Sequence, residues 1–107
     1  MESLHRTDIV ARVHFLDSSQ GGKKLSIIGE YFSCPLEFGG EYYDCRLYLE
    51  NIKIINPGDH VVVPIAFLFP TIVMPKLTAG MEFTLWEAKT IAYGTIIEVK
   101  SLLSKIG

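Results

Sequence analysis

Apolar and polar residues alternate along much of the chain with a period of two, the spacing of a strand that buries one face. From Asp8 to Asp17 the positions Ile9, Ala11, Val13 and Phe15 fall on one side, with Arg12 and His14 on the other. Leu25 to Tyr31 reads as a second extended run. Tyr42 to Glu50 alternates again, setting Tyr43, Cys45, Leu47 and Leu49 against Asp44, Arg46 and Glu50. His60 to Phe69 is apolar at nearly every position, which predicts a strand covered on both faces, with Pro64 marking an edge or a bulge. After Gly80, Met81, Phe83 and Leu85 alternate with Glu82, Thr84 and Trp86. From Thr90 to Lys100 the pattern predicts that Ile91, Tyr93, Thr95, Ile97 and Val99 share a face. No segment longer than a turn or two holds a helical period.

The stretches between these runs carry turn chemistry. Gly21-Gly22, inside Asp17–Lys24, supplies positive φ without steric cost. Pro35 and Gly39-Gly40 punctuate a longer connection. Asn56-Pro57-Gly58-Asp59 predicts a type II turn, because proline presets the first central φ and glycine takes the positive one. About six short strands at this spacing make an antiparallel barrel or a sandwich. The reading is one domain over 1–107, with the barrel at about 8–100 and loose ends at 1–7 and 101–107.

Composition narrows the class. At 107 residues, 49% hydrophobic and 21% charged, the chain can bury one core without staples. A net charge of −2 excludes nucleic-acid binding driven by bulk positive charge and leaves room for a local basic patch. Cys34 and Cys45 are too few for a disulfide framework and read as free thiols in a reducing compartment. The start, Met1 to Arg6, is charged and shows no signal-peptide core. The longest uncharged run, Val61 to Pro75, is shorter than the ~20 residues of a membrane span and reads as buried strand followed by loop. A soluble cytoplasmic chain with no membrane contact is the expectation.

The chemistry-bearing residues are few. His5, His14 and His60 are not at metal-ligand spacing from one another or from cysteine, and read as surface or capping residues. Cys34 has no basic residue beside it in the chain to activate its thiol. Glu30, Glu37, Glu41 and Asp44 read as solvated charge. Neither a Walker-type loop nor a Gly-x-Gly-x-x-Gly turn is present. The expectation is therefore no catalytic residue, no metal and no cofactor. Two basic turns remain, Lys23-Lys24 and Lys89-Thr90, placed to lie at one end of a barrel and offer cations to phosphate. Tyr42, Tyr48 and Trp86 fall on the less apolar faces of their strands and read either as interface aromatics or as a second packed layer.

The order of these motifs resembles the third, C-terminal domain of translation elongation factor Tu, from about Asp8 to Lys100. The opening strand Ile9 to Leu16 comes first. Gly21-Gly22-Lys23-Lys24 follows, where the family has Gly-Gly-Arg-His. Then come Tyr31 after an apolar strand, and Asn56-Pro57-Gly58-Asp59 at the family's Pro-Gly-Asp turn. Phe69-Pro70-Thr71-Ile72 stands where the family has His-Pro-Ile. Last, Met81 to Gly94 parallels the family's Arg-Phe-Ala-Ile-Arg-Glu-Gly-Gly-Arg-Thr-Val-Gly-Ala-Gly.

The resemblance implies an all-β fold, a six-stranded antiparallel closed β-barrel. In the family this domain holds no catalytic residue. It packs on a GTPase domain and a middle barrel, and meets the exchange factor and the T-stem of aminoacyl-tRNA. It implies contact positions at Lys23, Lys24, Tyr31, Lys89, Thr90 and Gly94. Two departures bear on partners. Tyr31 is followed by Phe32-Ser33-Cys34-Pro35, where the family has Arg-Pro-Gln, and lysines stand where it has arginines that grip phosphate bidentately. The expectation is a stand-alone, translation-related module that binds a protein: a translation GTPase domain, an exchange factor or a second copy of itself. The alternative is tRNA binding through the turn lysines.

Overall fold

The structure is a computed structural model and describes residues 6–100. Apart from Arg6 and Thr7, the expected loose ends at 1–7 and 101–107 lie outside the described residues, as does His5. Six strands close a barrel: β1 (Ile9–Phe15), β3 (Tyr31–Phe38), β4 (Glu41–Tyr48), β6 (His60–Phe67), β7 (Glu82–Trp86) and β8 (Thr90–Val99). Their order around the barrel is β1-β6-β4-β3-β7-β8, and every pairing is antiparallel. Two further pieces, β2 (Ile27–Ile28) and β5 (Ile54–Ile55), form a separate two-stranded ribbon.

The inward residues are the apolar set of the alternation. Ile9, Ala11 and Val13 from β1 meet Leu36, Leu47, Val63, Ile65 and Leu85 from the other strands, all with no exposed surface. Each fully buried Leu or Ile contributes about 1.5–3 kcal/mol relative to exposure, so the filled interior is the main stabiliser of the closed shape.

The second expected strand is displaced. Leu25 to Tyr31 contributes only β2, because Gly29 turns the chain at φ 130°. The barrel strand is β3, which runs straight through Pro35. Proline is tolerated there because the pairing with β7 begins at Leu36, one residue later. Gly39-Gly40 is a tight turn rather than part of a longer connection. Phe38 pairs with Glu41 across it, and both glycines take positive φ (61° and 83°), the type I′ geometry. Pro64 likewise stands where a ladder ends, since β6 pairs with β4 only through Ile65, Ala66 and Phe67. The expected type II turn is present: Asp59 N donates to Asn56 O at 3.0 Å, with Gly58 at φ 91°.

Two faces differ from the expectation. β6 is not covered on both sides, for Val62 is 54% exposed. In β8 the inward set is Ala92, Gly94 and Ile96, while Tyr93 and Ile97 face solvent. The cause is a bulge: Leu85 pairs with Ala92 and Trp86 with Thr90, so Ile91 is an extra residue and the parity flips after it. A second shift against β1, between Val10 and Ala11, skips Ile97. Beyond β6 the chain forms a single turn α1 (Pro70–Val73) and a 3₁₀ turn (Met74–Lys76), where a loop was expected. No described helix is long and apolar enough to cross a membrane.

Candidate functional site

The barrel interior is filled with side chains, so the functional surfaces lie on its outside. The first is the basic groove anticipated from the turns. The loop before it begins at Asp17, which caps the 3₁₀ turn Ser18–Gln20. Gln20 N donates to Asp17 Oδ1 at 3.0 Å, and Ser19 Oγ donates to the same oxygen at 2.6 Å. The Ser19 hydroxyl chiefly holds the Asp17 carboxyl below its usual range, opposed by desolvation and helped by the backbone donors of Gln20 and Ser19. Gly22 then passes so close to Leu16 that a Cβ there would lie 2.1 Å from the Leu16 carbonyl oxygen. This contact delivers Lys23 and Lys24 to the β7–β8 turn.

There, Ala88 takes φ 66° and Glu87 N donates to Lys89 O at 2.8 Å. The two turns enclose a groove of about 290 Å³ lined by Lys23, Lys24, Leu25, Glu87 and Lys89. Lys23 pairs with Glu87, and its ammonium lies 5.6 Å from the Phe32 ring centre. Lys23, Lys24 and Lys89 are thus brought together, with Thr90 next to Lys89 at the start of β8. Gly94 is not part of this surface. It is buried opposite Phe83, whose ring occupies the space of a Cβ, 2.2 Å from that position. It lines instead a shallow pocket with His14, His60 and Tyr93, away from the lysine groove.

The second surface is a cleft of about 530 Å³ on the outer face of β3, β4 and β6. Register builds it. Tyr31 pairs with Tyr48, Ser33 with Arg46, and Pro35 with Asp44. The Arg46 guanidinium stacks over the Tyr31 ring at 4.4 Å, and the Tyr31 and Tyr48 rings are 6.1 Å apart and tilted by 59°. Arg6 closes one side. Its Nε and Nη2 donate to the two oxygens of Asp8 at 2.8 and 3.0 Å, and Nη2 also donates to Phe67 O at 2.6 Å. Asp8 is fully buried and accepts from Phe67 N at 2.8 Å, so the pair latches the chain before β1 onto the end of β6. Leu68 lines the cleft, and Leu68, Phe69 and Ile72 are each 59% exposed.

Tyr42 and Trp86 meet elsewhere, edge to face, with ring centres 5.2 Å apart. Trp86 Nε1 donates to Thr84 Oγ1 at 3.0 Å, and Thr84 Oγ1 donates to Glu37 at 2.6 Å, which fixes the indole. Of the three sequence-read aromatics, only Tyr48 lines the cleft. Sequence reasoning missed Arg6, Arg46 and Ile72, while Leu68 and Phe69 end the apolar stretch Val61 to Phe69 that it read as able to leave an exposed patch. The available signal was an apolar run that continues past the last residue the barrel buries.

Cys34 and Cys45 are both buried and unbridged, directly opposite each other in the β3–β4 ladder. Hydrogen bonding to Cys34, then burial, pushes the Cys45 thiol well up, which disfavours the reactive thiolate. Among the described residues, no group of three or more His, Cys, Asp or Glu is placed to share a metal ion. Comparison with known proteins returns no match: no family model fits the chain, and no curated protein is similar to it.

Proposed function

We propose that this chain is a non-catalytic β-barrel module that acts by docking on another protein, in translation. The resemblance to the C-terminal domain of elongation factor Tu supplies the setting, which is cytoplasmic. The carrying observation is the outer cleft. It is lined by Arg46, Tyr48 and the exposed Leu68, with Tyr31 stacked under Arg46, and the exposed Phe69 and Ile72 follow Leu68 in the chain. Arginine and tyrosine dominate the binding energy of protein interfaces, and an apolar rim of this kind is what a partner covers. The partner favoured is a translation GTPase domain or an exchange factor, with a second copy of the chain as the homodimeric version.

The test is light scattering and titration calorimetry with a purified elongation-factor GTPase domain. A saturable complex is expected, weakened by about 1 kcal/mol or more in Arg46→Ala and in Phe69→Ser. Absence of a complex at tens of micromolar protein, where a contact worth about 6–7 kcal/mol would register, sinks the translational version. Self-association lost in the same variants identifies the partner as a second copy.

A second reading has its own observation, the gathering of Lys23, Lys24 and Lys89 in one groove. It proposes tRNA as the ligand, held through phosphates. Glu87 works against it by neutralising Lys23. This reading expects affinity for acylated tRNA that falls steeply with salt and is lost in the Lys23→Glu, Lys89→Glu double variant. A flat salt response, or no change in the variant, removes it.

A further inference from the structure

Phe15 N donates to Asp59 O at 2.8 Å, which makes Phe15 and Asp59 a hydrogen-bonded pair of the β1–β6 ladder. His14 and His60 are the next pair along, the non-hydrogen-bonded kind, where side chains from two strands approach most closely. Both stand on the outer face, because their neighbours Val13 and Phe15 point into the core. The rings stack with centres 4.0 Å apart and planes 7° from parallel. Tyr93 lies opposite His14 on β8, Thr95 opposite Arg12, and Glu82 opposite Thr95. Together they border a shallow pocket of about 270 Å³ that includes His14, His60, Arg12, Glu82 and Tyr93. The docking reading uses none of these side chains.

We propose that His14 and His60 form a cross-strand, two-imidazole site for a divalent transition-metal ion. Each neutral ring offers one nitrogen lone pair. An ion bound at about 2.0–2.1 Å to each nitrogen needs them roughly 3 Å apart. Parallel rings with centres at 4.0 Å hold matching nitrogens about 4 Å apart with parallel in-plane lone pairs, so the rings must tilt toward one another to share an ion. Rotation of the two side chains about their own bonds supplies that tilt, and the ladder keeps the two strands fixed. Water fills the other positions. The facing charges are Arg12, which opposes a cation, and Glu82, which favours it, with Asp59 at the strand end and the Asp17 carboxylate within electrostatic reach of His14. Cu²⁺ is the ion bound most tightly, as the general order of divalent affinities for imidazole sites dictates. Binding needs deprotonated imidazoles, so affinity falls on acidification.

The probe is the Cu²⁺–iminodiacetate chelate, which leaves neighbouring positions for the protein, so a histidine pair holds it more tightly than a single histidine does. Calorimetry at neutral pH is combined with electron paramagnetic resonance on the full chain and on His14→Ala, His60→Ala and His5→Ala. One saturable equivalent with hyperfine splitting from protein imidazole is expected. His14→Ala and His60→Ala each weaken it by about tenfold or more, and His5→Ala leaves it unchanged. Equal binding in all four proteins, loss only in His5→Ala, or no saturable binding overturns the site. The two positions are on the surface, and an unchanged thermal midpoint without metal verifies that each variant folds. None of these outcomes depends on whether a protein or RNA docks elsewhere.

Discussion

At the residue scale, a few positions are fixed by close contact rather than by type preference. Gly22 has no positive φ requirement, yet a methyl group there would overlap the Leu16 carbonyl. Gly22→Ala is expected to cost about 1–3 kcal/mol through backbone displacement, read as a lower midpoint in urea with an unchanged slope. Asp17 belongs to the same loop. Its carboxyl titrates below the ordinary range when folded, chiefly through the Ser19 hydroxyl. The cap's contribution is present above the ordinary carboxylate range and lost as pH falls through the lowered folded value. Asp17→Asn keeps an acceptor at the cap, so it is expected to flatten that part of the acid limb and change little at neutral pH. Thermal melts from neutral to acid pH compare the two proteins.

At the element scale, the strands differ in how openly the sequence declares them. β1, β4 and β7 follow their alternation, because each has one wet face and one buried face. β3 is masked by Pro35, whose missing donor matters only if a neighbour pairs there, and that neighbour is set by topology. The inward face of β8 is masked by the bulge at Ile91, which a period-of-two reading carries to the wrong side. Surfaces follow the same logic. The lysine groove was legible because its cations sit in turns, Lys23 and Lys24 after Gly21-Gly22 and Lys89 between two alternating strands. The Arg46–Tyr31 stack and the His14–His60 pair were not, since both arise from cross-strand register between distant segments. The β3–β4 turn carries its own prediction. Gly39 has positive φ and open space around it, and Asn-Gly is the preferred type I′ pair. Gly39→Asn is expected to stabilise by about 0.5 kcal/mol, measured as a raised midpoint in urea, by restricting the unfolded chain.

At the scale of the whole molecule, closure gives each of the six barrel strands two neighbours, with short ladders where β3 meets β7 and β4 meets β6. Recognition by strand addition is left to the β2–β5 ribbon and the stretches beyond these short ladders, and recognition elsewhere uses side chains. The ribbon is itself apolar on its outer side, where the paired Ile28 and Ile54 are 72% and 41% exposed. Docking variants on the cleft should separate binding from folding. Phe69→Ser removes surface that is already in water, so its stability is expected to stay within about 0.5 kcal/mol of the parent while docking weakens. Differential scanning calorimetry beside the binding titration distinguishes that result from general unfolding.

The joining of β1 to β8 reaches beyond thermodynamics. Lys100 N donates to Asp8 O at 2.8 Å, so the two ends of the barrel lie side by side. Tension drawn through the flanking chain would act across that single bond and peel β1 from β8 one pair at a time. It would not shear the whole ladder at once. The Arg6–Asp8–Phe67 latch sits at that opening and is the first resistance the pull would meet. A barrel tethered in this way yields like a zipper, with the Asp8 carboxylate holding the β6 side and the Asp8 carbonyl the β8 side of the opening.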